Sequence, residues 1–136
     1  MLGFDTGFFM QLLQGDALPV ETRRNAMQNK VSSICSCLTL FELERLSLKG
    51  VIEDHSVLCE GIHAVCKVVW LDTAILSMGA RLCRGLGIPA MDGLILAGFL
   101  LSGVGTIYTT DRHFTRYEAP GVRIVNLKEP NPTTTP

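Results

Sequence analysis

Residues 93–114, GLILAGFLLSGVGTIYTTDRHF, decide which class of fold the chain adopts. No charged side chain occurs from Gly93 to Thr110, a length that reaches the lower limit of a membrane-spanning helix. Glycines, threonines and a serine interrupt the run, however, and the SGVG segment at 102–105 is typical of a break between two elements. We therefore predict a buried helix followed by a buried strand, and no membrane span.

The same alternation of strand and helix extends outward from this stretch. Several strands are continuous apolar runs, which is typical of a parallel sheet covered by helices on both faces. We predict an α/β fold, a three-layer α/β/α sandwich with a mainly parallel central sheet. The predicted strands are 1–5, 31–38, 67–71, 104–109 and 122–127, and the predicted helices are 7–14, 18–30, 39–49, 54–66, 73–84 and 91–101.

The composition is that of one folded domain. The chain has 136 residues, of which 47% are hydrophobic and 18% charged, and this excludes a disordered chain. The net charge of -1 gives no bulk positive field of the kind that attracts nucleic acid. We predict one domain over residues 1–128 and an extended, proline-rich tail over 129–136.

The cysteines and the N-terminus bear on the location of the protein. Five cysteines, an odd number in a chain that is not a short secreted scaffold, are typical of reduced thiols. The opening segment MLGFD lacks the basic part of a signal peptide. We therefore expect a cytoplasmic location.

Four acidic residues fall where the predicted elements meet one edge of the sheet. Asp5 ends the first strand, and Asp111 follows the strand that ends at Thr109. Glu42 lies in the first turn of the helix after the second strand, and Asp92 joins them if its helix starts at this edge. Parallel α/β sheets bind their ligands here, at the carboxyl ends of the strands.

Such a cluster indicates a metal site. Carboxylates packed together repel one another, and they stay ionised at neutral pH mainly when a cation lies between them. Oxygen ligands of this kind select Mg²⁺ or Mn²⁺. A metal held in this way can activate water and brace the oxygens of a phosphodiester, so the cluster indicates metal-assisted phosphodiester hydrolysis.

Each acid also has a purely structural interpretation. Thr39 and Glu42 match a capping box at the start of a helix. Asp92 can stabilise a helix N-terminus, and Asp5 and Asp111 suit turns after strands. Position alone leaves both interpretations open.

Four segments resemble, in order and spacing, the motifs of PIN domains. The closing strand 121–127 also fits, so the resemblance covers about residues 1–128. Each motif is short, and their specificity comes from their order. Relatives of similar size are the VapC-like toxins of bacterial and archaeal toxin–antitoxin pairs. The segments are FDTGFF at 4–9, SCLTLFEL at 36–43, PAMDGLILA at 89–97 and IYTTDRHF at 107–114.

The resemblance implies a PIN-like fold and a Mg²⁺- or Mn²⁺-dependent endoribonuclease that hydrolyses RNA. It also implies a toxin that forms a homodimer and is silenced by a cognate antitoxin. The residues implied as both catalytic and metal-binding are Asp5, Glu42, Asp92 and Asp111.

The residues around Asp111 are the expected contacts to RNA. The hydroxyl of Thr109 or Thr110 would accompany the acids, and either could meet phosphate. Arg112 and Arg116 would meet the RNA backbone. The sequence departs from its relatives at His113, where many carry a further acid. This departure puts a second metal in doubt and leaves His113 either as a phosphate contact or as an idle surface residue.

An apolar segment indicates a partner surface. It has more apolar side chains than one helix face buries, and such a surface commonly marks an interface. We predict that it serves a homodimer and an antitoxin segment; the structural alternative is packing under neighbouring helices. The residues are Phe41, Leu43, Leu46, Leu48, Val51 and Ile52, with Leu18, Val20 and Met27 beside them.

Three other functions agree less well with the sequence. His55, Cys59, His63 and Cys66 share one helix face, but four ligands along one straight helix do not close around a zinc ion, so a half-buried face is favoured. A phosphoacceptor domain would need an acid pair near the start and a lysine after the last inner strand, and the sequence has neither. The remaining alternative is a non-catalytic PIN-like interaction domain, against which the four acids speak.

Overall fold

The computed structural model describes residues 1–53 and 55–128. The predicted tail, 129–136, lies outside the described residues. The strands are β1 (Leu2–Phe4), β2 (Ser33–Ser36), β3 (Lys67–Val69), β4 (Thr106–Thr109) and β5 (Arg123–Asn126). The helices are α1 (Thr6–Leu13), α2 (Ala17–Gln28), α3 (Cys37–Leu48), α4 (His55–Val65), α5 (Thr73–Leu86) and α6 (Ala90–Leu101), with a 3₁₀ helix at Arg112–Arg116.

The strands form one sheet in the order β3-β2-β1-β4-β5, and every strand pair is parallel. The predicted α/β fold with a mainly parallel sheet is confirmed. The chain runs outward from β1 through β2 to β3, and then crosses to the other side of β1 to form β4 and β5. The carboxyl ends of β1 and β4 therefore flank the topological switch point, where sheets of this type bind their ligands.

Helices cover both faces of the sheet. Ile34 and Cys35 are neighbours on β2 and point to opposite faces. Cys35 belongs to a buried cluster with residues of α1, α3 and α4, whereas Ile34 belongs to a second cluster with residues of α6, β4 and the 3₁₀ helix. The two clusters make the three layers of the sandwich.

Stacked phenylalanines fix the start of α1 against the sheet. The rings of Phe4 and Phe8 are parallel, with centroids 3.8 Å apart, and Phe9 meets Phe4 edge-on at 6.0 Å. All three side chains are buried. Because Phe4 ends β1 and Phe8 lies in the first turn of α1, this packing also fixes the intervening Asp5.

The uncharged stretch within residues 93–114 divides as the sequence predicts, into α6 and then β4. Within residues 1–53 and 55–128, no helix is long and apolar enough to cross a membrane. Instead, α6 packs closely against α5. A Cβ on Gly93 would collide with Sγ of Cys83, and one on Gly79 would lie 2.9 Å from Leu94. Glycine at these two positions lets the two helices approach each other closely.

The predicted capping box at Thr39 is wrong. β2 ends at Ser36, whose hydroxyl accepts a 3.1 Å hydrogen bond from the N–H of Leu38 and caps α3. Thr39 is fully buried inside the helix, and Glu42 lies in its second turn rather than its first. The helix therefore starts two residues earlier than predicted, because a serine nearer the strand provides the N-cap.

Candidate metal centre at the carboxyl edge of the sheet

Asp5 is the most buried acid of the site, at 5% exposure. Its Oδ1 accepts a 2.9 Å hydrogen bond from the N–H of Phe8, so the carboxylate caps α1. Its Oδ2 accepts a 2.5 Å hydrogen bond from the hydroxyl of Thr109. Burial raises the pKa of Asp5 to about 6, although the hydrogen bonds from Thr109, Phe8 and Thr110 favour the ionised form. The capping role and a place in the acidic site therefore coexist in one residue.

Thr109 connects two of the acids. Its side chain is fully buried at the end of β4. While its hydroxyl donates to Asp5, its oxygen accepts a 2.9 Å hydrogen bond from the N–H of Asp111. Thr109 therefore positions both acids, and it offers no surface to RNA.

Asp92 and Asp111 lie on either side of His113. Nδ1 of His113 is 2.7 Å from Oδ1 of Asp111 and 3.1 Å from Oδ2 of Asp92. One donor atom from each of the three side chains lies within 4.8 Å of the other two. Asp111 caps the 3₁₀ helix by accepting a 2.9 Å hydrogen bond from the N–H of His113, and Asp92 lies in the first turn of α6.

The two carboxylates titrate as an interacting pair. Burial and the neighbouring Asp111 raise the pKa of Asp92 to about 6. Burial also disfavours ionisation of Asp111, but hydrogen bonds from the backbone of His113 and from Asp92 outweigh it and lower its pKa. Without a cation, Asp111 therefore ionises first, and Asp92 keeps its proton to a higher pH than an ordinary aspartate does.

Glu42 reaches the site from α3. Its Oε1 accepts a 2.9 Å hydrogen bond from the hydroxyl of Thr6, at the start of α1. The charge of Glu42 also acts on Asp92 and raises its pKa further. All four predicted acids thus meet at the switch point, although Asp5 and Glu42 lie outside the tight group that Asp92 and Asp111 form with His113.

Thr110 lies against the first turn of α1. A Cβ on Gly7 would collide with the hydroxyl of Thr110. The glycine in the FDTGFF segment therefore permits close contact between α1 and the residue before Asp111.

The two predicted arginine contacts differ in the structure. Arg116 donates a 2.8 Å hydrogen bond to the carbonyl of Gly87 and a longer one to that of Leu86, so it holds the end of α5. Arg112 is exposed and lines a polar cleft beside Asp111. The cleft also contains two residues that the sequence analysis did not identify, Asn126 and Lys128. Both residues could have been predicted from their position at the end of β5, because β5 pairs with β4.

The donor set fits a divalent cation. Asp92 and Asp111 supply hard oxygens within bonding reach of a shared ion, and Nδ1 of His113 is buried without a hydrogen-bond partner. This nitrogen lies 2.7 Å from Asp111 and 3.1 Å from Asp92, so it is placed to join the two carboxylates around a cation. Asp5 and Glu42 add negative charge around the same point.

Comparison with known proteins places the chain in a family. The sequence matches the PIN domain family over residues 4–120, and the chain belongs to this family. A comparison with curated protein sequences finds no match.

Solved toxin–antitoxin structures are similar in fold. VapBC2 from Rickettsia felis, bound to a DNA fragment from the promoter, has a TM-score of 0.72 at 14% identity, covering 92% of this chain and 97% of that one. DNA-bound VapBC from Salmonella typhimurium has a TM-score of 0.70 at 19% identity, covering 91% and 96%. A toxin–antitoxin complex from Klebsiella pneumoniae has a TM-score of 0.67 at 16% identity, covering 92% and 96%. At these identities the likeness shows the fold.

Proposed function

We propose that the protein is a metal-dependent endoribonuclease that hydrolyses phosphodiester bonds of RNA, and that it is the toxin of a toxin–antitoxin pair. The observation that carries the proposal is the meeting of Asp92, Asp111 and the imidazole of His113 at the switch point of a PIN fold. Membership of the PIN family and the likeness in fold to toxin–antitoxin complexes support it.

Asp92 and Asp111 would hold Mg²⁺ or Mn²⁺ directly. When bound, the ion would supply activation of water and stabilisation of charge on the phosphate oxygens. Asp5, which the hydroxyl of Thr109 holds in place, would add its negative charge to the site. Glu42, whose carboxylate accepts a hydrogen bond from Thr6, would orient the attacking water.

The polar cleft beside Asp111 would bind the RNA backbone. Arg112 and Lys128 provide two cations there, and Thr110 and Asn126 provide neutral hydrogen-bonding groups. Cations on one side of the acidic cluster would hold a phosphate group of the RNA close to the metal and would balance the negative charge of that phosphate. Arg116 would act indirectly, because its guanidinium is bonded to the end of α5.

An apolar cleft of about 840 Å³ between α1, α2 and α4 would take a segment of the antitoxin. Leu43 and Ile52, which the sequence analysis placed in the partner surface, are buried in the core. Other members of that surface remain exposed, and Met27 and Val51 line the cleft. An amphipathic segment is the kind of partner that such a cleft accepts. The exposed apolar residues lining it are Leu13, Met27, Val31, Val51, Val57 and Val65.

A homodimer and a cytoplasmic location complete the proposal. The strongly exposed Leu48 and Phe41 on α3 are available for a second copy of the chain. All five cysteines are free thiols, as expected in a reducing compartment.

Cleavage of RNA by the purified chain tests the proposal. We expect cleavage with Mn²⁺ or Mg²⁺ that stops with EDTA, and a loss of at least about a hundredfold in Asp92→Asn and Asp111→Asn. Asp16→Asn is the matched control, because Asp16 is exposed and its side chain makes no capping bond.

A separate measurement of metal binding distinguishes the nuclease from a non-catalytic PIN-like domain. Calorimetry and thermal unfolding should show that Mn²⁺ binds and stabilises the folded chain, and that Asp5→Asn weakens binding. A chain that neither cleaves RNA nor binds either metal would contradict the proposal and favour a non-catalytic PIN-like interaction domain.

A further inference from the structure

His113 occupies an unusual position for a histidine near the protein surface. The side chain as a whole is 28% exposed, yet its Nδ1 is buried and has no hydrogen-bond partner. Its neighbours are oxygens of Asp92 and Asp111, at 3.1 Å and 2.7 Å, which are the distances of an ion pair. The nitrogen thus points into the carboxylate pair.

The backbone holds the imidazole in this place. His113 lies in the 3₁₀ helix, and its own N–H donates to Oδ1 of Asp111. The next residue, Phe114, is buried in the core and anchors the helix to the sheet. The backbone position of His113 therefore follows from the same turn that positions Asp111.

The spacing of the three donors suits one ion. Ligands that share an ion with bonds of about 2.1 to 2.3 Å lie at most about 4.5 Å apart. The donor atoms of Asp92, Asp111 and His113 lie within 4.8 Å of one another, so a small adjustment would bring them around a single cation. A protein nitrogen is then available beside two carboxylate oxygens.

We infer that Nδ1 of His113 is a third metal ligand in this site and makes it prefer Mn²⁺ over Mg²⁺. The inference rests on the proposed function and deepens it. Mg²⁺ strongly favours oxygen ligands, whereas first-row transition ions also accept imidazole. Replacing an oxygen ligand by a nitrogen therefore weakens Mg²⁺ binding more than Mn²⁺ binding. The alternative role, an imidazolium that only balances the carboxylates, would give no nitrogen bond to the ion.

Pulsed EPR of the full chain loaded with MnCl₂ tests the ligand directly, because it detects ¹⁴N nuclei bound to the ion. We expect a signal from one coordinated imidazole in the unmodified chain and in His63→Asn. The signal should disappear in His113→Asn and His113→Asp. His63 is a fitting control because it is exposed on α4, which contributes no residue to the acidic group.

Calorimetric titration with MnCl₂ and MgCl₂ tests the preference. His113→Asn should weaken Mn²⁺ binding about tenfold, the scale of losing one metal-site interaction. His113→Asp should strengthen Mg²⁺ relative to Mn²⁺, because it restores an all-oxygen set. Circular dichroism and the melting temperature establish that the variants fold, and using two variants guards against a defect specific to one.

The outcomes separate this inference from the proposed function. Mn²⁺ binding that lacks the nitrogen signal, with the same Mn²⁺/Mg²⁺ ratio in all variants, would overturn the ligand role of His113 and leave the nuclease proposal standing. Failure of the unmodified chain to bind either ion would overturn both.

Discussion

The hydroxyl of Thr109 donates a 2.5 Å hydrogen bond to Oδ2 of Asp5 and joins two residues that are 104 positions apart. The bond links the carboxyl ends of β1 and β4, the two strands at the switch point. Because both side chains are buried, it fixes the deepest acid of the site relative to Asp111.

Thr109→Val should destabilise the protein by about 1–3 kcal/mol, the cost of leaving buried polar groups without a partner. Valine keeps the shape of threonine but removes both the donor to Asp5 and the acceptor for the N–H of Asp111. Urea unfolding of the metal-free chain measures the loss. Thr109→Ser keeps the hydroxyl and should retain most of the stability; equal losses in both variants would show that packing of the methyl group matters more than the hydrogen bonds.

Asp5 should make the metal-free protein less stable as the pH rises. The pKa of Asp5 is about 6 in the folded chain, above its ordinary value of 3.8. Between these values the folded state binds the proton more tightly than the unfolded state, so stability falls as the pH increases from about 4 to 6 and then levels off. Asp92 acts in the same direction and Asp111 in the opposite one.

Comparison with Asp5→Asn isolates this contribution. Asparagine also caps helices, so α1 should keep its start. In EDTA, Asp5→Asn should gain stability relative to the unmodified chain between pH 4.5 and pH 7, as followed by urea unfolding. A difference between the two proteins that stays constant with pH would contradict the raised pKa.

Glu42→Gln should preserve the fold and reduce RNA cleavage at least about a hundredfold. The residue is in the second turn of α3, so it has no capping role, and glutamine can still accept from Thr6. Activity per folded molecule, with the melting temperature as control, separates the two effects. Thr6→Val removes the hydrogen bond to Glu42 and a 3.3 Å contact with the hydroxyl of Thr39, and it should cost less activity because the carboxylate stays. Unchanged cleavage in Glu42→Gln would exclude Glu42 from the chemistry.

Leu48→Glu should leave the melting temperature and RNA cleavage unchanged while weakening the homodimer or the inhibition by a cognate antitoxin. Leu48 is 84% exposed, so a charge there meets water in the single chain. Leu46 packs against the core, and Leu46→Glu should unfold the protein instead. Light scattering at micromolar concentration and inhibition assays provide the measurements. A strictly monomeric protein whose inhibition survives Leu48→Glu would refute this partner surface.

The fold could be predicted from the sequence to a large extent. Apolar runs separated by helical segments have few arrangements, and parallel crossovers place the end of each strand at the same edge. Asp5 follows directly on β1, Asp111 lies two residues after β4, and Asp92 lies in the first turn of α6, so their approach to one edge could be predicted from the order of strands and helices. The start of α3 differs from the prediction because Ser36 and Thr39 are both acceptable N-caps, and the structure uses Ser36.

The sequence by itself determined the layers, the parallel sheet and the edge that collects the acids, because hydrophobic periodicity and connectivity act along the chain. Only the tertiary structure decided what each polar group contacts. Whether His113 faces the carboxylates or the solvent, and whether Arg116 meets a ligand or the end of α5, depends on side-chain torsions and on distances of a few ångströms between remote elements. Such contacts are set by the packing of the whole domain, and no local pattern encodes them.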